Sequence, residues 1–185
     1  MKAITNSIII ILFCFNTVLN GQNKDTVRVS KAAIKWYQFE EALALNNKYP
    51  KKKIFIDVYT DWCGWCKKMD ASTFKDSAIV AYMNEKYYAV KFNAETKDTI
   101  SINGRNYINM NPNEKRGAHQ IAADLLQGKL SYPSYVFLNE IGSKMSVENG
   151  FKPVGEFYPV LRYFGDNEYV NMPYSEYRQK FPSPK

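Results

Sequence analysis

Apolar positions recur along this chain with two different periods. From 36 to 48, WYQFEEALALNNK carries the three-to-four-residue spacing of a helix, with Trp36, Phe39, Leu43 and Ala44 expected inside and Pro50 as its stop. Ile54-Phe55-Ile56-Asp57-Val58-Tyr59 is a short run of β-branched and aromatic residues, which predicts a buried central strand. A helical stretch follows from about Cys63 through Met69. Asp76 predicts an N-cap for a helix over 77–86, with Ile79, Val80 and Met83 as its apolar face. Residues 87–93, YYAVKFN, predict a second strand. Residues 96–116 are polar, yet Ile100, Ile102, Tyr107 and Ile108 flank Asn103-Gly104, a pair suited to a small hairpin. A helix over 117–127, a strand over 133–138, a turn at Gly142 and a strand over 144–148 come next. Gly150 breaks the chain, and a last helix is expected over 156–165, with Pro159 in its first turn. The tail, 171–185, holds three prolines and room for one short helix. A leading helix followed by β-α-β-α-β-β-α predicts an α/β fold, a mixed sheet with helices on both faces.

The length of 185 residues fits one domain with modest additions, and a hydrophobic fraction of 45% supplies a real core. The first 21 residues read differently. Lys2 precedes the run Ile8 to Phe15, and small and polar residues follow to Gly21. That pattern predicts a secretory signal peptide over 1–21, cleaved near Gly21-Gln22. A membrane anchor would need about 20 apolar residues, and this run is interrupted at Asn16. Cys14, preceded by bulky Phe13 inside the run, is a poor lipidation site. Residues 22–30 read as a short exposed lead.

Export would leave Cys63 and Cys66 as the cysteines of the mature chain, in a compartment where thiols can be oxidised. The periplasm is the expected location, with no stable membrane insertion after the signal is removed. The net charge of +7 is scattered apart from Lys51-Lys52-Lys53, which fits a solvated turn before a strand. No basic stripe with interleaved aromatics supports nucleic-acid binding. Ser, His and Asp occur, but no nucleophile-elbow context points to a hydrolase.

The chemistry concentrates in DWCGWCKKM, residues 61–69. A cysteine pair with two residues between its members admits a redox switch, half of a metal site, or a structural staple. Zinc usually takes four ligands, and beyond position 21 the chain has two thiols and one imidazole, His119. His119 lies in the expected helical segment beside Gln120, at the surface or half-buried. A staple closing so small a loop gains little chain entropy. The redox reading has a positive argument. A strand runs into Cys63 and a helix begins there, so free amides and the positive end of the helix dipole face its sulfur and favour the thiolate. Cys66 sits one turn further in and more sheltered. Cys63 is thus the attacking thiol and Cys66 the resolving one. Trp62 and Trp65, beside the sulfurs, are expected to be partly exposed and to contact a peptide.

IFIDVYTDWCGWCK, residues 54–67, resembles the thioredoxin family, and the resemblance extends over about residues 35–165. In that family a strand leads into Trp-Cys-Gly-x-Cys-Lys, with a buried acid six positions before the first cysteine; Asp57 stands there. Lys91-Phe92-Asn93 matches the strand whose lysine approaches that acid, Tyr132-Pro133-Ser134 matches the cis-proline before a strand, and Gly150 matches the glycine after the last strand. The tryptophans and the CKKM continuation look most like secreted bacterial thioredoxin-like proteins and the electron-carrying domains of membrane thiol reductases. The family's usual proline between the cysteines is replaced by Trp65, and an insertion at about 96–116 precedes the third core helix.

The resemblance implies a thioredoxin fold with a mixed sheet of about four to five strands, a domain over 30–166 and an extension over 167–185. It implies a redox-active Cys63–Cys66 disulfide that exchanges with protein thiols and disulfides, an unidentified thiol redox partner, and no cofactor, because the dithiol itself carries two electrons. Asp57 would take the proton of Cys66, Lys91 would moderate Asp57, and Trp62, Trp65, Tyr132 and Pro133 would contact substrate. The rival reading is a thioredoxin-fold binding or scaffold module without redox turnover.

Overall fold

The computed structural model describes residues 32–48 and 52–181. The expected signal over 1–21, Cys14, the lead over 22–30 and the stop at Pro50 lie outside the described residues. The elements are β1 (Trp36–Tyr37), α1 (Phe39–Lys48), β2 (Lys53–Tyr59), α2 (Gly64–Ala71), α3 (Ser77–Lys86), β3 (Tyr87–Asn93), β4 (Ile100–Ile102), β5 (Arg105–Tyr107), α4 (Gln120–Leu126), β6 (Ser134–Leu138), β7 (Lys144–Asn149), α5 (Val154–Gly165) and α6 (Tyr174–Lys180). Single 3₁₀ turns occupy Thr73–Lys75 and Glu168–Val170.

Five strands form one mixed sheet in the order β1-β3-β2-β6-β7. β2 runs parallel to β3 and antiparallel to β6, so it is paired on both edges. Its residues Lys53 to Val58 are all buried, which explains why it reads as an apolar run rather than an alternation. The alternation of the strand still sorts its side chains between two cores. Phe55 faces one side, with Met69 of α2, Met83 of α3, Phe157 of α5 and Tyr177 of α6. Ile54, Ile56 and Val58 face the other, with Ala42 of α1 and Ile121 and Leu126 of α4. Asp57 has the parity of Phe55, so it points to the side that carries α2.

Sequence periodicity places most boundaries correctly. Asp76 caps α3, its Oδ1 accepting from the amides of Ala78 and Ile79 at 2.9 and 3.2 Å. β4 and β5 form the expected hairpin, with φ of 51° at Asn103 and 78° at Gly104. Those angles are what a two-residue hairpin turn of right-handed twist requires.

Other expectations need correction. Trp36 does not begin a helix; it lies in β1, paired with Ala89. Ala44 is exposed, and Ala42 and Asn46 are the buried positions of α1. The helix expected from 117 starts only at Gln120, because the preceding residues close a loop. α5 begins two residues earlier than expected, so Pro159 falls in its second turn. The short helix for which the tail had room is α6, and its Tyr177 is buried, with its ring 5.2 Å from that of Tyr163. Among the described residues no helix is long and apolar enough to cross a membrane.

His119 is the largest correction. It is fully buried, and its backbone amide donates to Ala94 O at 2.7 Å. Its Nδ1 accepts from the amide of Ile121 at 3.2 Å, capping α4. That fixes the proton on Nε2, which donates to the carbonyls of Asp98 and Tyr107 at 3.2 and 3.1 Å. Burial holds the imidazole below its ordinary pKa, consistent with this neutral form. One side chain thus ties the hairpin insertion to α4.

Candidate active site

β2 ends at Tyr59, and the chain turns through Thr60 to Trp62 into α2. The Cys63 amide donates to Thr60 O at 3.1 Å. Cys63 is the N-cap of α2, with extended backbone, and its Sγ accepts from the Cys66 amide at 3.1 Å. A cap side chain normally satisfies one of the orphan amides of a helix start; here a sulfur does so. The same amide and the helix dipole would stabilise a thiolate at Cys63. Cys66, one turn inside, is joined to Cys63 by a disulfide, with Cα atoms 5.3 Å apart. Exposure does not separate the two, at 4% and 3%. The distinction rests on their places in the helix.

The two tryptophans frame this enclosed disulfide and are half exposed, at 51% for Trp62 and 55% for Trp65. Trp62 donates from Nε1 to Glu95 Oε1 at 2.8 Å, and its ring meets that of Tyr132 edge-on at 5.9 Å. This contact brings the cysteine loop and the proline loop together. Tyr132–Pro133 is a cis peptide. Burial and the charge of Glu95 push the Tyr132 hydroxyl up to about 12. Trp65 lies 5.5 Å from Phe151, and the Lys68 ammonium sits over both rings, at 4.9 and 4.6 Å.

Beneath the helix, Asp57 pairs in register with Lys91 of β3 and Tyr135 of β6. It is 1% exposed, and its Oδ2 accepts from Lys91 Nζ at 3.1 Å. Its Oδ1, Thr60 Oγ1 and the Tyr135 hydroxyl have no hydrogen-bond partner among the described residues. Burial raises the Asp57 carboxyl to about 6, with Lys91 pulling the other way. Lys91 also bonds Asp70 of α2. Burial lowers its pKa, but the two carboxylates outweigh that and leave it above the ordinary value. The rings of Trp36 and Tyr59, each 5.1 Å from Nζ, help hold the cation.

The structure brings some of the expected residues together and leaves one apart. Trp62 and Tyr132 join the cysteine loop to the cis-proline loop, Asp57 and Lys91 form an ion pair on the α2 side of the sheet, and Trp65 packs separately on Phe151. Asp70 was not anticipated from sequence. It lies four residues after Cys66, on the same face of α2, and that spacing is the one signal that marks it. Glu95 on Trp62, Phe151 on Trp65, and Arg116, whose guanidinium lies 4.8 Å from the Trp62 ring, have no comparable signal. Among the described residues no three His, Cys, Asp or Glu gather as a metal site would need.

The Asp57–Lys91–Asp70 arrangement makes a prediction that needs no assay of activity. A second anion on Lys91 raises the cost of ionising Asp57. Asp70→Asn should move the titration of the Asp57 carboxyl, followed by carbon NMR, to lower pH. An unchanged or raised midpoint would mean that Lys91 does not couple the two acids.

Comparison with known proteins agrees with this fold. The family model Thioredox_DsbH (protein of unknown function, DUF255) matches residues 17–117, which include β2, the cysteine helix and β3. A thioredoxin-fold protein from Helicobacter pylori is 18% identical over 70% of this chain and 79% of its own, with a TM-score of 0.53. A thioredoxin from Thermus thermophilus is 19% identical over 70% and 85%, with a TM-score of 0.52. At these identities the likeness establishes the thioredoxin fold alone. No curated protein matches the sequence.

Proposed function

The chain belongs to the Thioredox_DsbH family of thioredoxin-like proteins, and from that premise we propose that it is an exported thiol-disulfide oxidoreductase acting on protein substrates. The observation that carries this is the Cys63–Cys66 disulfide at the start of α2, with Cys63 Sγ accepting an amide hydrogen bond at the helix end. A staple would not need that position, whereas a nucleophilic thiolate gains from it.

In the reducing direction the Cys63 thiolate attacks one sulfur of a substrate disulfide. The substrate S–S bond breaks, one substrate thiolate leaves and is protonated, and a mixed disulfide forms. Cys66 then gives its proton to Asp57, directly or through water, and its thiolate attacks Cys63 Sγ. The second substrate thiolate leaves, and the protein is left as the Cys63–Cys66 disulfide. Two electrons have passed to the substrate, and a thiol partner must return them. A carboxyl of pKa about 6 is largely ionised at neutral pH and can accept that proton. Trp62, Trp65, Tyr132 and Pro133 would form the surface that receives an extended substrate, backbone against backbone beside Tyr132.

Turbidimetric insulin reduction with dithiothreitol tests this reading. Catalysis well above the protein-free control is expected, and none is expected of a thioredoxin-fold binding module. Export is tested separately: the protein should be recovered from the periplasmic fraction with an N-terminus near Gln22. Retention in the cytoplasm at full length would remove the export half of the proposal.

A further inference from the structure

The polar insertion is built as a hydrogen-bonded wall beside Trp62. Asn109, buried, donates from Nδ2 to Gly117 O at 2.7 Å and to Thr96 O at 3.3 Å, while its Oδ1 accepts from the Asn111 amide at 3.0 Å. A Cβ on Gly117 would lie 2.0 Å from Asn111 O, so only glycine permits this closure. His119 fixes the other end, through Asp98 and Tyr107. The outcome is an uncommon backbone at Arg116, φ 67°, that holds its guanidinium 4.8 Å above the Trp62 ring.

Between this wall and Trp62 lies an open cleft of about 410 Å³. Its cations are Lys97, Lys115 and Arg116, and its carboxylates are Glu95 and Glu114. Glu95 already accepts from the Trp62 indole. Lys97 donates to Asn113 Oδ1 at 3.2 Å. Neither Lys115 nor Arg116 enters a salt bridge among the described residues. The cleft thus offers a stacking surface, a guanidinium held in place over it, and an excess of positive charge. Trp62 immediately precedes Cys63, so a chain joined to Cys63 through its own cysteine has neighbouring residues within reach of the cleft.

We propose that this cleft is a charge-selective subsite that takes an acidic side chain of the polypeptide flanking a substrate cysteine. Turnover at the neighbouring disulfide belongs to the oxidoreductase reading above, and binding to the cleft can be measured without it. Arg116 is then a specificity-determining residue. Exposed ion pairs contribute modestly, so the selectivity should be real but bounded and should weaken with salt.

The test uses pairs of peptides that differ only in carrying Glu or Lys two residues from a central position, which is Ser in the binding series and a disulfide-linked Cys in the turnover series. Calorimetry at low ionic strength should find the Glu-Ser peptide binding about fivefold more tightly than the Lys-Ser peptide. The ratio should shrink in high salt. Arg116→Lys should keep the sign of the preference and Arg116→Glu should invert it. Each ratio is internal to one protein sample, so a loss of folded material does not mimic it. Equal binding, or a preference for Lys in the unmodified protein, overturns the proposal whatever the disulfide peptides do. Selective binding with no turnover of either disulfide peptide supports the cleft and counts against the oxidoreductase reading alone.

Discussion

Cys63→Ser should reduce insulin-reduction activity by about a thousandfold or more, to the uncatalysed rate, because the first bond-forming step loses its nucleophile. A serine hydroxyl at a helix start is not ionised near neutral pH, and its oxygen does not exchange with a disulfide. Cys66→Ser should behave differently. The attacking thiol remains, but nothing resolves the mixed disulfide, so turnover stops after one event and substrate stays attached. Non-reducing gels of Cys66→Ser should show covalent adducts that dithiothreitol releases, and Cys63→Ser should show few. The two cysteines are equally enclosed, so this asymmetry would come from their helix positions, Cys63 at the N-cap and Cys66 a turn inside. Adducts forming preferentially through Cys66 would reverse the two roles.

Asp57→Asn should make the protein more stable and slower. The carboxyl has a pKa of about 6 in the fold against 3.8 for the ordinary group, because burial disfavours the anion more than Lys91 restores it. The folded state therefore binds its proton more tightly than the unfolded chain. The contribution of Asp57 is most favourable below about pH 4, declines as pH rises through 6, and is fully unfavourable above that. That rise corresponds to about 3 kcal/mol. That figure already contains the attraction of Lys91 for the anion, and an amide replaces the neutral acid imperfectly, so a gain of about 2 kcal/mol at pH 7 to 8 is expected. The advantage should vanish near pH 4. Urea unfolding at several pH values measures it, and a pH-independent difference would mean that Asp57 is not the titrating group. Turnover at neutral pH should fall by about tenfold to a hundredfold, with loss of the inflection near pH 6. An unchanged pH–rate profile would remove Asp57 from the mechanism.

Strand and helix limits were legible where local signals agree. Asp76 followed by Ile79, Val80 and Met83 defines α3, because the cap and the apolar stripe depend only on near neighbours. The Asn103-Gly104 turn is legible for the same reason. What was hidden depends on distant pairing. β1 is two residues long and exists by hydrogen bonding to β3. Asp70 reads as an ordinary helix-surface acid until β3 brings Lys91 to it. His119 reads as a surface or half-buried residue, and the carbonyls of Asp98 and Tyr107 that satisfy it come from the folded insertion. The candidate site itself was readable because its residues follow a family pattern: Asp57, Cys63 and Cys66 lie within ten residues, and Lys91 and Pro133 stand in short motifs of their own. The residues that flank the tryptophans follow no such pattern, since Arg116 reaches Trp62 only through the closure of its loop.

The reduction potential of the Cys63–Cys66 pair tests the oxidoreductase reading most directly. A strong oxidant is made by stabilising the reduced form, chiefly the thiolate of its first cysteine. Gly64 and Trp65, between the cysteines, bring neither a positive charge nor a histidine hydrogen bond. Asp61, two residues before Cys63 and bonded to Asn93, adds a negative charge that disfavours a second anion. Lys67 is exposed, and its influence is screened. The remaining stabiliser is the helix start. Equilibration with glutathione buffers, quenched with acid and alkylated, should therefore show a reversible two-electron transition nearer the thioredoxin value of about −270 mV than the strong-oxidant value of about −120 mV. A midpoint above about −160 mV would contradict the reducing assignment, and a pair that does not exchange with glutathione at all would contradict the redox function itself.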